Sequence, residues 1–331
     1  MKAIRIHEDG GPDVLRYEDA PDPEPRDGEV LIRLRAASLN RLDLWVRQGL
    51  PSVPKPRILG ADGAGLDESG RRVVINPGIE HGDRISVIGE HMDGTHAELI
   101  AVPEANVYPI PDELSFEEAA AFPLVFETVY RMLVTRAGLR DGEWVLVWGV
   151  GSGIGSASLQ LAKALGGRVV ATSSTDAKLE RARELGADVV VNHRTGDLLA
   201  AVKEATGGRG VDVVVEHVGE ATWEKSLQAV RARGRIAVCG ATSGPNPKAA
   251  LHRIWWKQLT ILGSTMGTKA DFEGAFELVK SGEAKPIVDS VFPLAEARAA
   301  HERMESGEQF GKIVLSIPDE RPNRSPLRKR V

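Results

Sequence analysis

From Trp144 onward the chain alternates between short apolar runs and stretches whose apolar residues recur at helical spacing. Trp144-Val145-Leu146-Val147-Trp148 is a continuous apolar run of strand length, too short for a helix. It passes through Gly149-Val150-Gly151-Ser152-Gly153-Ile154-Gly155 into a segment with Ala157, Leu159, Leu161, Ala162 and Leu165 on one helical face. The pattern then repeats. Strands are predicted at Arg168–Thr172, Val189–Val191, Val211–Val215, Arg235–Val238 and Thr260–Leu262. Helices are predicted at Asp176–Leu185, Thr195–Thr206, Trp223–Arg231 and Arg253–Gln258. Strands alternating with helices imply a doubly wound parallel α/β sheet, with ligands at the carboxyl ends of its strands.

The first third reads differently. Short alternating runs (Val30–Ala36, Arg72–Ile75, Asp83–Val87, Ala97–Val102) are separated by turn-forming stretches such as Pro21-Asp22-Pro23-Glu24-Pro25 and Gly60–Gly65. Helical period is absent until Phe116–Ala121, so this part is predicted to be a compact β barrel or sandwich. After Gly267 the pattern gives a helix (Asp271–Ser281), a strand (Ile287–Phe292), a helix (Leu294–Glu305) and a last strand (Gly311–Ile317). The Pro-, Arg- and Lys-rich tail 318–331 is expected to be a disordered basic terminus.

The glycine loop is the first piece of candidate chemistry. A strand, alternating glycines and a helix N-terminus form a phosphate cradle: glycine lets the backbone approach a pyrophosphate, and helix-start N–H groups favour negative charge. The candidate dinucleotide residues are Gly149, Gly151, Ser152, Gly153 and Ile154, although strict G-x-G-x-x-G spacing would put the last glycine at Ile154. An NAD site places a carboxylate about 20 residues further on, at the end of the second strand. This chain has Thr172-Ser173-Ser174-Thr175 there, followed by Asp176 in the next helix's first turn. Ser173, Ser174 and Lys178 suit a 2′-phosphate, which a carboxylate would repel, so NADP (NADPH) is favoured over NAD. Ser174 or Thr175 also reads as a plain helix cap. The later strand ends carry Glu216-His217-Val218-Gly219, Gly240-Ala241-Thr242 and Gly263-Ser264-Thr265, small residues where a flat nicotinamide ring needs room.

At 331 residues the chain has length for two domains. A net charge of −5 with interspersed signs points away from nucleic acid or a membrane surface, and no apolar run is long enough to span a bilayer. Met1-Lys2-Ala3-Ile4-Arg5-Ile6-His7 alternates like a strand rather than a signal-peptide core, and the chain is expected to be cytoplasmic. The single cysteine, Cys239, leaves no internal disulfide and no thiolate zinc cluster, and reads as a core residue.

Four further stretches carry a resemblance: Ala37–Gly49, Leu59–Gly65, Glu117–Pro123 and Phe310–Leu315. With the domain order, they resemble the medium-chain dehydrogenase/reductase superfamily, in its zinc-independent quinone oxidoreductase branch. The resemblance implies a Rossmann domain at 124–266 and a GroES-like β-barrel domain at 1–123 and 267–317. It extends the cofactor set to His193, His217, Gly240, Ala241, Gly263, Ser264 and Lys312. Zinc-dependent relatives have Cys where this chain has Asn40, and Gly-His-Glu where it has Gly60-Ala61-Asp62; their four-cysteine lobe is cut here to Pro77–Asp83. No zinc is therefore expected, since three protein ligands are needed. His81, Glu90, His91 and His96 match no metal-binding spacing.

A metal-free site suits acceptors such as quinones and α,β-unsaturated carbonyls, where hydride adds to carbon and charge moves to an oxygen that hydrogen bonds stabilise. Asn40 is the candidate donor, Asp43 a residue orienting its neighbours, and Thr128, with Arg41, a rim candidate. The alternatives are a zinc-type alcohol dehydrogenase with a remodelled metal site, or an NADPH-binding interaction protein with little turnover. The branch also implies a homodimer paired along the edge strand Thr260-Ile261-Leu262.

Overall fold

The computed structural model describes residues 1–318, so the basic tail falls, from residue 319, outside the described residues. The chain divides into two compact units. One comprises 1–124 with 286 onward; the other is the continuous stretch 125–285.

In the first unit the elements follow one another as β1 (Lys2–Ile6), β2 (Arg16–Asp19), β3 (Glu29–Ser38), α1 (Arg41–Arg47), β4 (Arg57–Ile58), β5 (Asp62–Leu66) and β6 (Arg72–Ile75). Then come β7 (Gly78–His81), β8 (Arg84–Val87), β9 (Leu99–Pro103), β10 (Val107–Pro109) and α2 (Phe116–Ala120). Helix α1 was not foreseen. Its seven residues begin directly after β3, and the Asp43 carboxylate accepts from the Asn40 backbone N–H at 2.7 Å in a capping box.

β3 organises this unit. Residues Glu29–Arg33 pair with β9; past an irregularity between Leu34 and Ala36, Ala36–Ser38 pair with β5 on one side and with the strand Lys312–Ser316 on the other. Its inward residues Ile32 and Leu34 join Val73, Ile75, Ile100 and Val102 in one core. This is the GroES-like barrel.

The second unit opens within α3 (Pro123–Tyr130), which runs into a π-helical turn at Arg131–Arg136. A parallel sheet follows: β11 (Trp144–Val147), α4 (Gly153–Ala164), β12 (Arg168–Ser173), α5 (Asp176–Glu184), β13 (Val189–Asn192), α6 (Leu198–Ala205) and β14 (Val211–Glu216). The sheet is completed by α7 (Trp223–Ala229), β15 (Val230–Val238), α8 (Leu251–Trp256) and β16 (Thr260–Gly263). Strand order β13-β12-β11-β14-β15-β16 is the doubly wound Rossmann arrangement, whose direction reverses on either side of β11. β11, β12 and β14 are almost wholly buried, with valines at their centres, as a two-sided sheet requires.

Several boundaries depart from the sequence reading. α6 starts only at Leu198, because the Asp197 side chain caps it by accepting from the N–H groups of Leu199 and Ala200. α7 stops at Ala229, since the backbone turns extended at Val230 and β15 begins there rather than at Arg235. Cys239 lies one residue past β15. The helix predicted at Asp271–Ser281 is α9 (Lys269–Lys280), capped by Thr268. It belongs to the second unit, so the chain returns to the first unit at residue 286, not at 267. Then come β17 (Val288–Pro293), α10 (Ala297–Ser306) and β18 (Lys312–Ser316), which pairs with β17 and β3. Among the described residues no helix is long and apolar enough to cross a membrane.

Candidate active site

The glycine loop lies at the carboxyl end of β11, where strand order reverses. Gly149 has φ +53°, a left-handed conformation that glycine adopts without penalty. The close approach is made one residue later than the strict spacing asks. A Cβ on Gly155 would lie 2.2 Å from the Gly149 carbonyl oxygen and 2.7 Å from Val150 Cα. Gly155 thus lets α4 sit against the loop, while Ile154 occupies the position the fingerprint assigns to glycine. The Ser152 side chain caps α4, accepting from the Gly155 N–H at 3.0 Å. The Thr172 hydroxyl on β12 accepts from the Gly149 N–H at 3.2 Å. A glycine loop packed this closely on the start of a twelve-residue helix fits a pyrophosphate.

At the end of β12, Ser173 is buried, and its hydroxyl accepts from the Thr175 N–H at 3.4 Å. Ser174 and Lys178 are half-exposed. Thr175 is the N-cap of α5 without a side-chain capping bond, and Asp176 is tethered by Asn192 Nδ2 at 2.8 Å. His193 follows β13; burial and the nearby Arg194 and Lys225 charges hold its pKa below the usual histidine range.

The next strand end is a network. The buried Glu216 carboxylate accepts from the N–H groups of Val218 (2.9 Å) and Gly219 (3.0 Å), from the Thr222 hydroxyl (2.8 Å) and from the Ser226 hydroxyl (2.6 Å). Ser226 in turn accepts from Trp148 Nε1 at 2.8 Å. One carboxylate thereby fixes the turn after β14. His217 Nε2 bonds the Trp148 carbonyl at 2.9 Å, tying that turn to the end of β11. Gly240 and Ala241 follow β15, and Gly263 and Ser264 close β16.

A second cluster lies within the first unit. Asp62 and Lys312 are 0% and 3% exposed, and the Lys312 ammonium donates to Asp62 Oδ2 at 2.9 Å and to Asn40 Oδ1. Asp62 Oδ2 also accepts from Asn40 Nδ2 (2.8 Å) and Ser38 Oγ (3.1 Å), while Oδ1 accepts from the Leu124 N–H (2.9 Å). Asp43 is equally buried. Its carboxylate accepts from the N–H groups of Asn40 and Gly60, at 2.7 and 2.9 Å, and burial pushes its pKa up to about 7 against those bonds and the Lys312 charge. Asp43 therefore orients backbone around Asn40.

The donors at Asn40 and Asp62 do not fit a zinc ion. Zinc takes three protein ligands, commonly thiolate or imidazole. Here one carboxylate already holds an ammonium, one amide stands beside it, and Ala61 offers nothing. Among the described residues no group of three His, Cys, Asp or Glu could hold a metal. His91 Nδ1 accepts from the Val87 N–H, His81 is exposed, and His96 is sealed in the core, so these histidines do not converge.

The structure thus gathers the cofactor candidates from Gly149 to Ser264 at the carboxyl ends of the second unit's sheet, while Lys312 belongs to the first unit. Lys312 is in β18 of the first unit, with Asn40 and Asp62, because β18 lies beside β3 and the Leu39 N–H donates to the Ile313 carbonyl. Thr128 is buried in α3 of the second unit, and Arg41 is exposed at the start of α1. The roles of Glu216 and Gly155 went unnoticed in the sequence. An acid closing the run Val213-Val214-Val215, and a glycine inside a helical run, were the available signals.

Comparison with known proteins agrees with this architecture. Residues 26–112 match the family model described as alcohol dehydrogenase GroES-like domain, and residues 153–281 the one described as zinc-binding dehydrogenase. The quinone oxidoreductase of Homo sapiens is 31% identical, over 96% of this chain and 98% of its own. A solved NAD-dependent alcohol dehydrogenase is 42% identical with a TM-score of 0.92, covering 96% of this chain and 100% of its own. A mycobacterial protein solved with NADPH is 29% identical with a TM-score of 0.83, covering 96% and 100%. In sheet order, barrel, glycine loop and overall similarity, the chain belongs to the medium-chain dehydrogenase/reductase superfamily of oxidoreductases, in its quinone oxidoreductase-like branch.

Proposed function

We propose that the chain is an NADPH-dependent, metal-independent reductase of quinones or α,β-unsaturated carbonyls. The observation that carries this reading is the Asn40–Asp62–Lys312 cluster: a polarised amide held by a buried ion pair, with the carboxylate already taken by an ammonium. Without a Lewis acid, simple alcohol oxidation is hard, because nothing lowers the alcohol's pKa. Reduction of a conjugated acceptor needs only hydrogen-bond donors for the oxygen that gains charge, which the second N–H of Asn40 Nδ2 offers.

The nucleotide supplies the hydride; the chain holds and orients it. Gly149, Gly151, Ser152, Gly153 and Ile154 take the pyrophosphate, with Gly155 making room. Ser173, Ser174 and Lys178 take a 2′-phosphate, with His193 beside them. His217, Gly240, Ala241, Gly263 and Ser264 border the nicotinamide, and Thr128 lines the acceptor. The mycobacterial neighbour's NADPH supports this choice. A second reading, NAD, is favoured by Asp176, which Asn192 holds near the end of β12, and by the NAD-dependent neighbour's name.

The same reading includes a homodimer paired along β16, a cytoplasmic location, and no nucleic-acid or membrane partner. Ile261 on that edge strand is exposed, and so are Leu251, Trp255 and Trp256 on the adjoining α8, an apolar patch suited to a second copy.

The experiment is NADPH oxidation across a panel of quinones, enones and aldehydes, before and after dialysis against a chelator. Saturable, chelator-resistant turnover with quinones or enones is expected, and Asn40→Ala should lower kcat by up to about 10²–10³-fold. Turnover restricted to aldehydes and lost on chelation returns the chain to the zinc-type reading. Nucleotide binding without turnover makes it an interaction protein.

A further inference from the structure

The Asp62 cluster is already complete as a cation site, and the cation is a side chain. We propose that Lys312 is a built-in cation taking the place of a metal ion in the first unit, dictating the orientation of the Asn40 amide and closing Asp62 to divalent ions. Asp62 receives four donors, three of them on Oδ2. Asn40 bridges the ion pair, its Oδ1 toward the ammonium and its Nδ2 toward the carboxylate. Rotating that amide by half a turn would set N–H against ammonium and oxygen against carboxylate, repulsive on both sides. Charge, rather than packing, therefore selects the orientation, and it leaves one Nδ2–H beyond those bonds.

The oxygen set is also the set a hard divalent ion takes: the Asp62 carboxylate, the Asn40 carbonyl and the Ser38 hydroxyl. A divalent ion and the Lys312 ammonium cannot share one buried carboxylate, since like charges at such distances repel strongly where water is excluded. Only the kinetic part of this inference rests on the proposed reductase activity.

The first arm is independent of turnover. Mn²⁺ is titrated into the full chain while the paramagnetic resonance of free Mn²⁺ is followed. Wild type is expected to leave the Mn²⁺ signal unchanged at Asp62, Lys312→Ala to take up one equivalent, and Lys312→Ala with Asp62→Asn to lose that uptake. Stoichiometric uptake by wild type that Asp62→Asn abolishes overturns the proposal. So does a Lys312→Ala variant no different from its Asp62→Asn control.

The second arm is kinetic. Lys312→Met strands a buried carboxylate and is expected to fold poorly. Lys312→Met with Asp62→Asn removes both charges and should recover thermal stability, yet keep kcat about 10²–10³-fold down at saturating NADPH. Lys312→Arg, retaining the charge, should recover part of the rate. If the neutral double variant regains wild-type kcat along with stability, Lys312 is merely structural and the inference falls. If wild type turns over no acceptor at all, the reductase reading fails instead, and the Mn²⁺ arm still decides the role of Lys312.

Discussion

Arg47 donates from Nη1 to Nδ1 of His301 across 3.0 Å, and both side chains are 0% exposed. Arginine has no lone pair to offer, so Nδ1 of His301 must be the acceptor and this histidine is neutral in the fold. Its ring meets that of His96 edge-on at 6.2 Å.

Acid should therefore weaken the first unit before it touches most carboxylates. Burial takes His96 down to about 3, aided by the Lys312 charge, and takes His301 well below the usual value through burial, His96 and Arg47. Both histidines charge in the unfolded chain near pH 6.5 but stay neutral folded, so their contribution is complete above about 6.5 and shrinks as pH falls. Asp43, raised to about 7, acts oppositely, because the folded chain keeps its proton where the unfolded chain releases it. Two protons against one leaves stability rising with pH between about 4.5 and 6.5. Chemical denaturation across that window should show the slope, and His96→Gln should flatten it. A flat wild-type profile would contradict these protonation states.

Two glycines of the nucleotide loop should fail for different reasons. Gly155→Ala meets backbone at 2.2 Å, so it should cost about 1–3 kcal/mol and weaken nucleotide binding at least tenfold. Gly149→Ala has space, its nearest neighbour being 3.8 Å away, and pays only for φ +53°, about 1–2 kcal/mol. Gly149→Asn should be milder still. Calorimetric melting and nucleotide titration separate the two, and equal behaviour of both alanine variants would count against the close-packing role.

Cofactor preference should lean on Lys178. Its replacement by alanine is expected to narrow the NADPH-over-NADH gap by about 1.5–3 kcal/mol, the worth of one charge-assisted bond. Equal dissociation constants for both cofactors in wild type would favour the Asp176 alternative.

Association should depend on the exposed edge. Ile261→Lys together with Trp256→Glu is expected to turn a dimer into a monomer in sedimentation at micromolar concentration, with little change in helix content. A wild-type monomer would remove the dimer from the proposal.

The second unit was legible because a buried parallel sheet leaves an unmistakable record: runs such as Val213-Val214-Val215 alternate with amphipathic helices, and boundaries slipped only where a cap such as Asp197 intervened. The first unit was legible only in outline. Its key pairings join Ser38 to Asp62 and Val314, residues with no local signal of their partnership. The π-helical turn at Arg131–Arg136 and helix α1 lay below what periodicity resolves over six or seven residues. Lys312 shows the limit most clearly. The family resemblance implied only a cofactor-binding role for it, and the crossing of β18 beside β3 reveals in addition that its charge is answered by Asp62.

That crossing also sets an order of events during synthesis. The second unit is one uninterrupted stretch and can fold as soon as it leaves the ribosome. The first unit cannot close until β18 arrives, so the Ala36–Ser38 edge of β3 and the Asp62 carboxylate wait through the whole translation of the second unit. A nascent chain halted at residue 285 would hold a finished nucleotide domain beside a half-sheet with an open edge, the form in which this protein is most exposed to aggregation.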